Sequence, residues 1–161
     1  MHELFIDFLT TEDAIDQHWL LEAYHYALEN SGDSKTKKGV IISTPKIVIC
    51  GTNYMSNNSH GKHIHAEADA ITQASEVQLS IVGSTLYTTH PPCKECSTKI
   101  IDAQIGKVII HNPNVTLDSK VNQQLHYHNM KLLQTHHIDV QLYIGKLPGS
   151  VAVLSGRNIE F

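Results

Sequence analysis

Two short stretches carry residue types able to do chemistry together: His65-Ala66-Glu67 and Pro92-Cys93-Lys94-Glu95-Cys96. One imidazole and two thiolates are three ligands for a zinc ion. Three protein ligands leave the fourth tetrahedral position to water, as a hydrolytic centre requires and a closed structural site does not. Zinc draws the pKa of such a water down to about 7 in favourable sites, which supplies a nucleophile at neutral pH. Glu67, two positions from a ligand, is then placed to carry the proton that the water gives up.

For His65, Cys93 and Cys96 to meet, the chain must bring two element starts together. Ala66, Ala70, Ala74 and Val77 repeat at helical spacing with small side chains, which predicts a helix lying close on a sheet with His65 and Glu67 in its first turn. Ser84 to Thr89 reads as a strand that His90-Pro91-Pro92 breaks, and Cys93 opens a helix with Ile100, Ile101 and Ile105 on its buried side. Cysteines at i and i+3 share a face near that helix's positive end, where a thiolate is favoured.

The remaining elements follow from periodicity. An N-terminal extension over 1–16 holds an apolar cluster of Leu4, Phe5, Ile6, Phe8 and Leu9, then Thr10-Thr11-Glu12-Asp13, where a threonine fits as a helix cap. A helix is expected over Gln17 to Asn30, with Trp19, Leu20, Ala23, Tyr24, Ala27 and Leu28 as its apolar face. Val40 to Ile42 and Lys46 to Cys50 read as an antiparallel hairpin. Tyr54 to Ile64 has no periodicity and is expected as a loop. Gly106 to Ile110 and Asp139 to Tyr143 read as strands. After a turn at Asn112-Pro113-Asn114, a helix from about Leu117 to Thr135 has Val121, Leu125, Met130, Leu132 and Leu133 as candidate buried positions. The tail over 145–161 is apolar enough to dock. This order predicts one α/β domain over 1–161, a three-layer α/β/α sandwich with a mixed five-stranded sheet.

Composition agrees. With 161 residues and 41% apolar side chains, one domain with a full core is expected. No apolar run approaches the ~20 residues of a membrane span, and Met1-His2-Glu3-Leu4 lacks the basic start of a secretory signal, so a cytoplasmic protein is expected. Three cysteines, two at C-x-x-C spacing, favour metal or redox use over a disulfide framework. A formal charge of −4 gives no general attraction to nucleic acid.

Each candidate has a plainer reading. A lone C-x-x-C also occurs as a redox pair or half a structural zinc site. Cys50 is better read as a small buried strand residue than as a fourth ligand. Asn53 is a possible strand terminator as well as a functional residue. His60 and His63 are near the site by sequence, but solvated loop histidines are the simpler reading. His126, His128, His136 and His137 are most simply polar helix and turn residues. Lys35, Lys37 and Lys62 are candidates to contact a phosphate, and equally ordinary surface lysines.

The H-x-E and P-C-x-x-C pair matches the signature of zinc-dependent nucleobase deaminases. Beyond it, the segment from Ser31 to Ile42 resembles the S-x-D-P-S-T-K-V-G-A-x-I stretch of deoxycytidylate deaminases. Cys50-Gly51-Thr52-Asn53 falls where that family has S-T-G-Y-N-G, and His65 to Ile71 and Thr85 to Cys96 read H-A-E-A-D-A-I and T-L-Y-T-T-H-P-P-C-K-E-C. The resemblance covers roughly Gln17 to Tyr143. It implies a cytidine deaminase-like fold and hydrolysis of dCMP to dUMP and ammonia. It also implies Zn2+ on His65, Cys93 and Cys96, Glu67 as proton shuttle, and Asn53 and Ala66 as substrate contacts. It further implies a homo-oligomer, commonly a hexamer, with dCTP and dTTP as effectors. Ser34 and Lys38 replace the usual proline and valine, Asp69 replaces a common asparagine, and the loop over Gly51 to Asn58 departs from the pattern linked to effector binding. The alternatives are a zinc deaminase acting on tRNA adenosine, cytosine or guanine, and a zinc-stabilised subunit without turnover. Intact Glu67 speaks against the last of these.

Overall fold

A computed structural model of the chain describes residues 5, 7–57, 61–111 and 120–161. Leu4, Ile6, His60, the turn at 112–114 and the start of the last helix at 117 lie outside the described residues.

The chain opens with a short strand, β1 (Leu9–Thr11), and helix α1 (Ala14–Asn30). The hairpin β2 (Gly39–Ser43) and β3 (Val48–Thr52) pairs Ile41 with Cys50. The segment read as a loop contains a small antiparallel pair, β4 (Tyr54–Met55) and β5 (His63–Ile64), too short for periodicity to reveal. Helix α2 (Ala66–Glu76), strand β6 (Thr85–Thr88), helix α3 (Lys94–Asp102) and strand β7 (Lys107–His111) follow. Helix α4 (Lys120–Thr135) and strand β8 (Asp139–Tyr143) complete the core, and the tail folds into a hairpin of β9 (Val151–Leu154) and β10 (Arg157–Glu160).

The main sheet runs β1-β8-β7-β6-β2-β3, with β1, β8, β7 and β6 mutually parallel and β2 and β3 antiparallel. The mixed sheet is as expected, but it has six strands and not five. The sixth is β1, where Thr10 and Thr11 pair with Leu142 and Tyr143. Asp13 takes the capping role assigned to threonine, its carboxylate accepting the Ile15 N–H at 2.8 Å. Thr11 instead donates its hydroxyl to the Asp16 carboxylate at 2.7 Å.

Alternation along the strands fixes the layers. Val40, Ile42, Leu86, Val108, Ile110, Val140 and Leu142 face one side with Ala70, Ala74, Ile100, Met130 and Leu133, so α2, α3 and α4 cover that face. Ile41, Tyr87, Ile109 and Tyr143 face the other side with Leu20, Ala23 and Tyr24 of α1. Leu147, Ala152 and, at its margin, Phe161 join the α1 cluster, which is where the tail docks. Of the expected buried positions on α4, Met130 and Leu133 are in the core, whereas Val121 and Leu125 are exposed. Among the described residues no helix is long and apolar enough to cross a membrane.

Candidate active site

The three residues able to hold a metal, His65, Cys93 and Cys96, sit on two helix starts. His65 is the N-cap residue of α2 and makes no capping hydrogen bond with its side chain, so its imidazole is left to face outward. Cys93 is the N-cap residue of α3, its sulfur accepting the Cys96 N–H at 3.4 Å. The positive ends of both helices therefore converge where thiolates are wanted. Gly51 on β3 makes the approach of α2 possible. A Cβ there would run into the carbonyl oxygen of Ala66 and come within 2.8 Å of the Ala70 Cβ. The absent side chain lets the first turn of α2 lie directly on the sheet.

The Nδ1 of His65 is 3.4 Å from each of the Cys93 and Cys96 sulfurs. Zinc bonds of ~2.05 Å to nitrogen and ~2.3 Å to sulfur at a tetrahedral angle put N and S about 3.5 Å apart, so this donor set fits the ion. All three ligand atoms lie within 4.8 Å of one another. Hydrogen bonding from Cys96 lowers the pKa of Cys93, assisted by the Cys96 N–H and the His65 imidazole, and raises that of Cys96. Zinc binding would release the protons of both thiols.

Glu67 is buried, and burial raises its carboxyl above the ordinary range, opposed in part by the charge of Lys38. A carboxyl raised above its ordinary range suits both halves of a proton relay. It lines a cleft of about 330 Å3 together with His65 and Cys93. The opposite wall is one face of α4, carrying Asn122, Leu125, His126 and Asn129, with Lys38, Pro91 and Lys94 completing the rim. The i, i+3, i+4, i+7 spacing of the α4 residues puts them on a single stripe. Leu125, expected in the core, is an apolar wall of this cleft.

The other candidates are placed as follows. Asn53 is 1% exposed, and its carboxamide is engaged within the chain. Its Oδ1 accepts from the Ser31 hydroxyl and the Lys38 N–H, both at 2.8 Å, and its Nδ2 donates to the Thr36 carbonyl at 2.6 Å. It does not line the cleft but holds the Thr36–Lys38 segment, of which Lys38 does. Ala66 is buried at the first position of α2, where the N–H has no intrahelical acceptor. Cys50 lies on the α1 side of the sheet, outside the trio, as a strand residue. Asp69 accepts the Thr52 N–H at 2.9 Å, a role that an asparagine oxygen would also fill. His63 contacts Asp33 at 3.3 Å and, with Lys62, lines a separate cleft of about 180 Å3 that lacks Glu67. Lys37 donates its ammonium to the Ser31 carbonyl at 3.0 Å.

Lys38, Lys94 and the α4 stripe are the cleft residues that sequence reasoning missed. Lys38 had a signal, standing where the related pattern has valine. Nothing in the sequence said which way it points.

Comparison with known proteins agrees with this geometry. The chain is 31% identical over 98 residues to the deoxycytidylate deaminase of Enterobacteria phage T4, covering 60% of this chain and 50% of that one. It is 25% identical over 107 residues to the ComE operon protein 2 of Bacillus subtilis, covering 58% and 57%. The chain thus spans about half the length of these curated relatives. In structure it is similar to the dCMP deaminase of cyanophage S-TIM5 in its apo form, with a TM-score of 0.65 at 22% identity over 82% of this chain and 99% of that one. The same cyanophage enzyme in complex with dCMP and dUMP gives 0.64 at 21%, over 82% and 98%. These structural likenesses establish the cytidine deaminase-like fold. Residues 13–112, which hold both ligand stretches and the buried carboxylate between them, match the family described as the cytidine and deoxycytidylate deaminase zinc-binding region, and the chain belongs to that family.

Proposed function

We propose that this chain is a zinc-dependent deoxycytidylate deaminase that hydrolyses dCMP to dUMP and ammonia. The observation that carries the proposal is a buried carboxyl, Glu67, in the same cleft as a His-Cys-Cys donor set with zinc spacing. A structural zinc site has no use for such a group. When bound by His65, Cys93 and Cys96, zinc would supply the Lewis acidity that makes a water reactive at neutral pH. Glu67 accepts one proton from the attacking water and delivers it to N3 of the pyrimidine. It then passes the second proton to the amine at C4, which leaves as ammonia. Pro91 and Leu125 supply apolar walls for the base. The Ala66 N–H, without an intrahelical acceptor at its helix start, is a donor for the ring carbonyl, and Asn53 acts on the sugar side by holding the segment that ends at Lys38 and not by direct contact.

The T4 phage relative and the cyanophage enzyme solved with dCMP and dUMP support a pyrimidine nucleotide over tRNA adenosine, free cytosine or guanine. A reducing compartment such as the cytoplasm suits the unpaired thiols. Exposed apolar side chains Ile47, Val48, Val77 and Val82 suit a homo-oligomer, of which the hexamer is the form proposed, with dCTP and dTTP as candidate effectors. The test is Glu67→Gln. This variant should keep one zinc per chain by metal analysis while ammonia release from dCMP falls by about 100-fold or more. Loss of zinc, or retained turnover, would refute the assignment. Deoxycytidine, cytosine and guanine as parallel substrates test the choice of nucleotide.

A further inference from the structure

We propose that the smaller cleft, of about 180 Å3, is the route by which a zinc ion reaches and leaves the trio of His65, Cys93 and Cys96, with His63 as its first protein ligand on the way. The inference rests on the metal-binding half of the deaminase reading and on nothing about the substrate.

Two clefts open on the same donor set. The larger one has His65 and Cys93 in its wall, the smaller one His65 and Cys96. They differ in what they offer a cation. In the larger cleft Lys38 and Lys94 face a single carboxyl, Glu67, among the described lining residues. In the smaller one Lys62 and Lys99 are matched by Asp69 and Glu95. A divalent ion therefore meets a net positive wall in the first and a balanced wall in the second.

His63 is the donor in the smaller cleft with a lone pair to spare. Glu95 is paired with Lys99 at 3.6 Å, and Asp69 accepts the Thr52 N–H at 2.9 Å. His63 meets the Asp33 carboxylate through Nε2 at 3.3 Å, and its Nδ1 has no protein partner among the described residues. With Nε2–H donating to the carboxylate, the Nδ1 lone pair of the neutral ring is left for a metal, which is how histidine ligands are usually held. Asp33 is itself fixed, its Oδ1 accepting the Lys35 and Thr36 N–H groups at 2.8 and 3.1 Å. The backbone then brings His63 to the trio. It opens β5, paired with Met55, and stands two positions before His65 in extended chain, so both rings project from one side. Their centroids are 5.5 Å apart at 75°. Among the described residues no group of three donors other than the trio comes together, and the His63 side chain is 40% exposed. It is thus placed to hand an ion over and not to keep it.

Zinc release from the loaded protein into excess chromogenic chelator gives the exit rate, and chelator competition at equilibrium gives the affinity. A route lowers the same barrier in both directions, so closing it slows exit and leaves affinity alone. Thr72 is an exposed position of α2 in the wall of the smaller cleft, and Thr72→Trp fills that cleft. His63→Ala and Thr72→Trp should each slow release about 10-fold, the lower end of what a guiding site adds to an on-rate, with affinity unchanged. Asp33→Asn should slow it by a smaller factor. Leu125→Trp, which crowds the larger cleft instead, should leave the rate as it is. Equal or faster release in both His63→Ala and Thr72→Trp overturns the route while leaving the deaminase reading intact, and so does slowing by Leu125→Trp alone. Weaker zinc affinity in His63→Ala would make His63 a resident ligand and end its role as a way-station. Unaltered protein that holds no zinc by metal analysis removes the deaminase reading, and the route falls with it.

Discussion

His111 takes no part in the proposed chemistry, yet it governs how the fold meets acid. It is fully buried, with the Tyr24 hydroxyl 2.6 Å from Nδ1 and the Gly145 carbonyl 3.0 Å from Nε2, and burial holds its pKa down to about 4. An unfolded histidine titrates near 6.5, so as pH falls the unfolded chain takes up the proton first. The stabilisation is complete above that value and drains away between about 6.5 and 4, by up to ~3 kcal/mol. Urea unfolding at pH 7.5 and 5.0 should show a steeper acid loss in the native chain than in His111→Gln; parallel losses would exclude His111 as the source. At this scale the sequence was legible where chemistry is local. A His-x-Glu and a Cys-x-x-Cys announce candidate ligands by spacing, and the structure brings the three donor atoms within 4.8 Å of one another. Lys38 and Asn53 were not legible in the same way. The direction of one and the engagement of the other depend on a turn shared by Ser31, Thr36 and Thr52, which no local pattern encodes.

Among the elements, α2 is the one whose seating decides whether a metal is gripped. Its first turn rests on Gly51, with no room for a side chain between β3 and the helix. Gly51→Ala should therefore push the start of α2 outward, costing about 1–3 kcal/mol of stability by overpacking. Zinc affinity should fall in the same variant, because His65 moves with the helix. Chelator competition alongside urea unfolding reads both effects; stability lost without any change in affinity would place the strain elsewhere. Long elements were readable from periodicity because a buried stripe repeats. β1 was not, since three residues cannot display an alternation, and its partner β8 lies at the far end of the chain. The apolar positions of α4 misled for a different reason. Leu125 belongs to a helical stripe, but that stripe lines a cleft and not the core.

In the whole molecule, two cores share one sheet. The metal-side core contains α2, α3 and α4, and the opposite core is α1 roofed by the C-terminal hairpin. That hairpin turns at Ser155 and Gly156, both at positive φ, as a tight two-residue connection requires. Its β9 also bridges Lys37 through Val153. Deleting residues 146–161 uncovers Leu20 and Tyr24 and should cost about 3–6 kcal/mol, at ~2 kcal/mol for each large apolar side chain lost from the core. A matched urea midpoint in the shortened chain would show that the roof is dispensable. One asymmetry within this architecture has an evolutionary reading. The proposed metal ligands and proton carrier ride on helix starts bolted to the sheet, while the facing stripe of Asn122, Leu125, His126 and Asn129 lines the cleft outside the hydrophobic core. Under the proposed function, reactivity and selectivity are thereby uncoupled: mutation can explore which amine-bearing ring is admitted without putting the hydrolytic apparatus at risk.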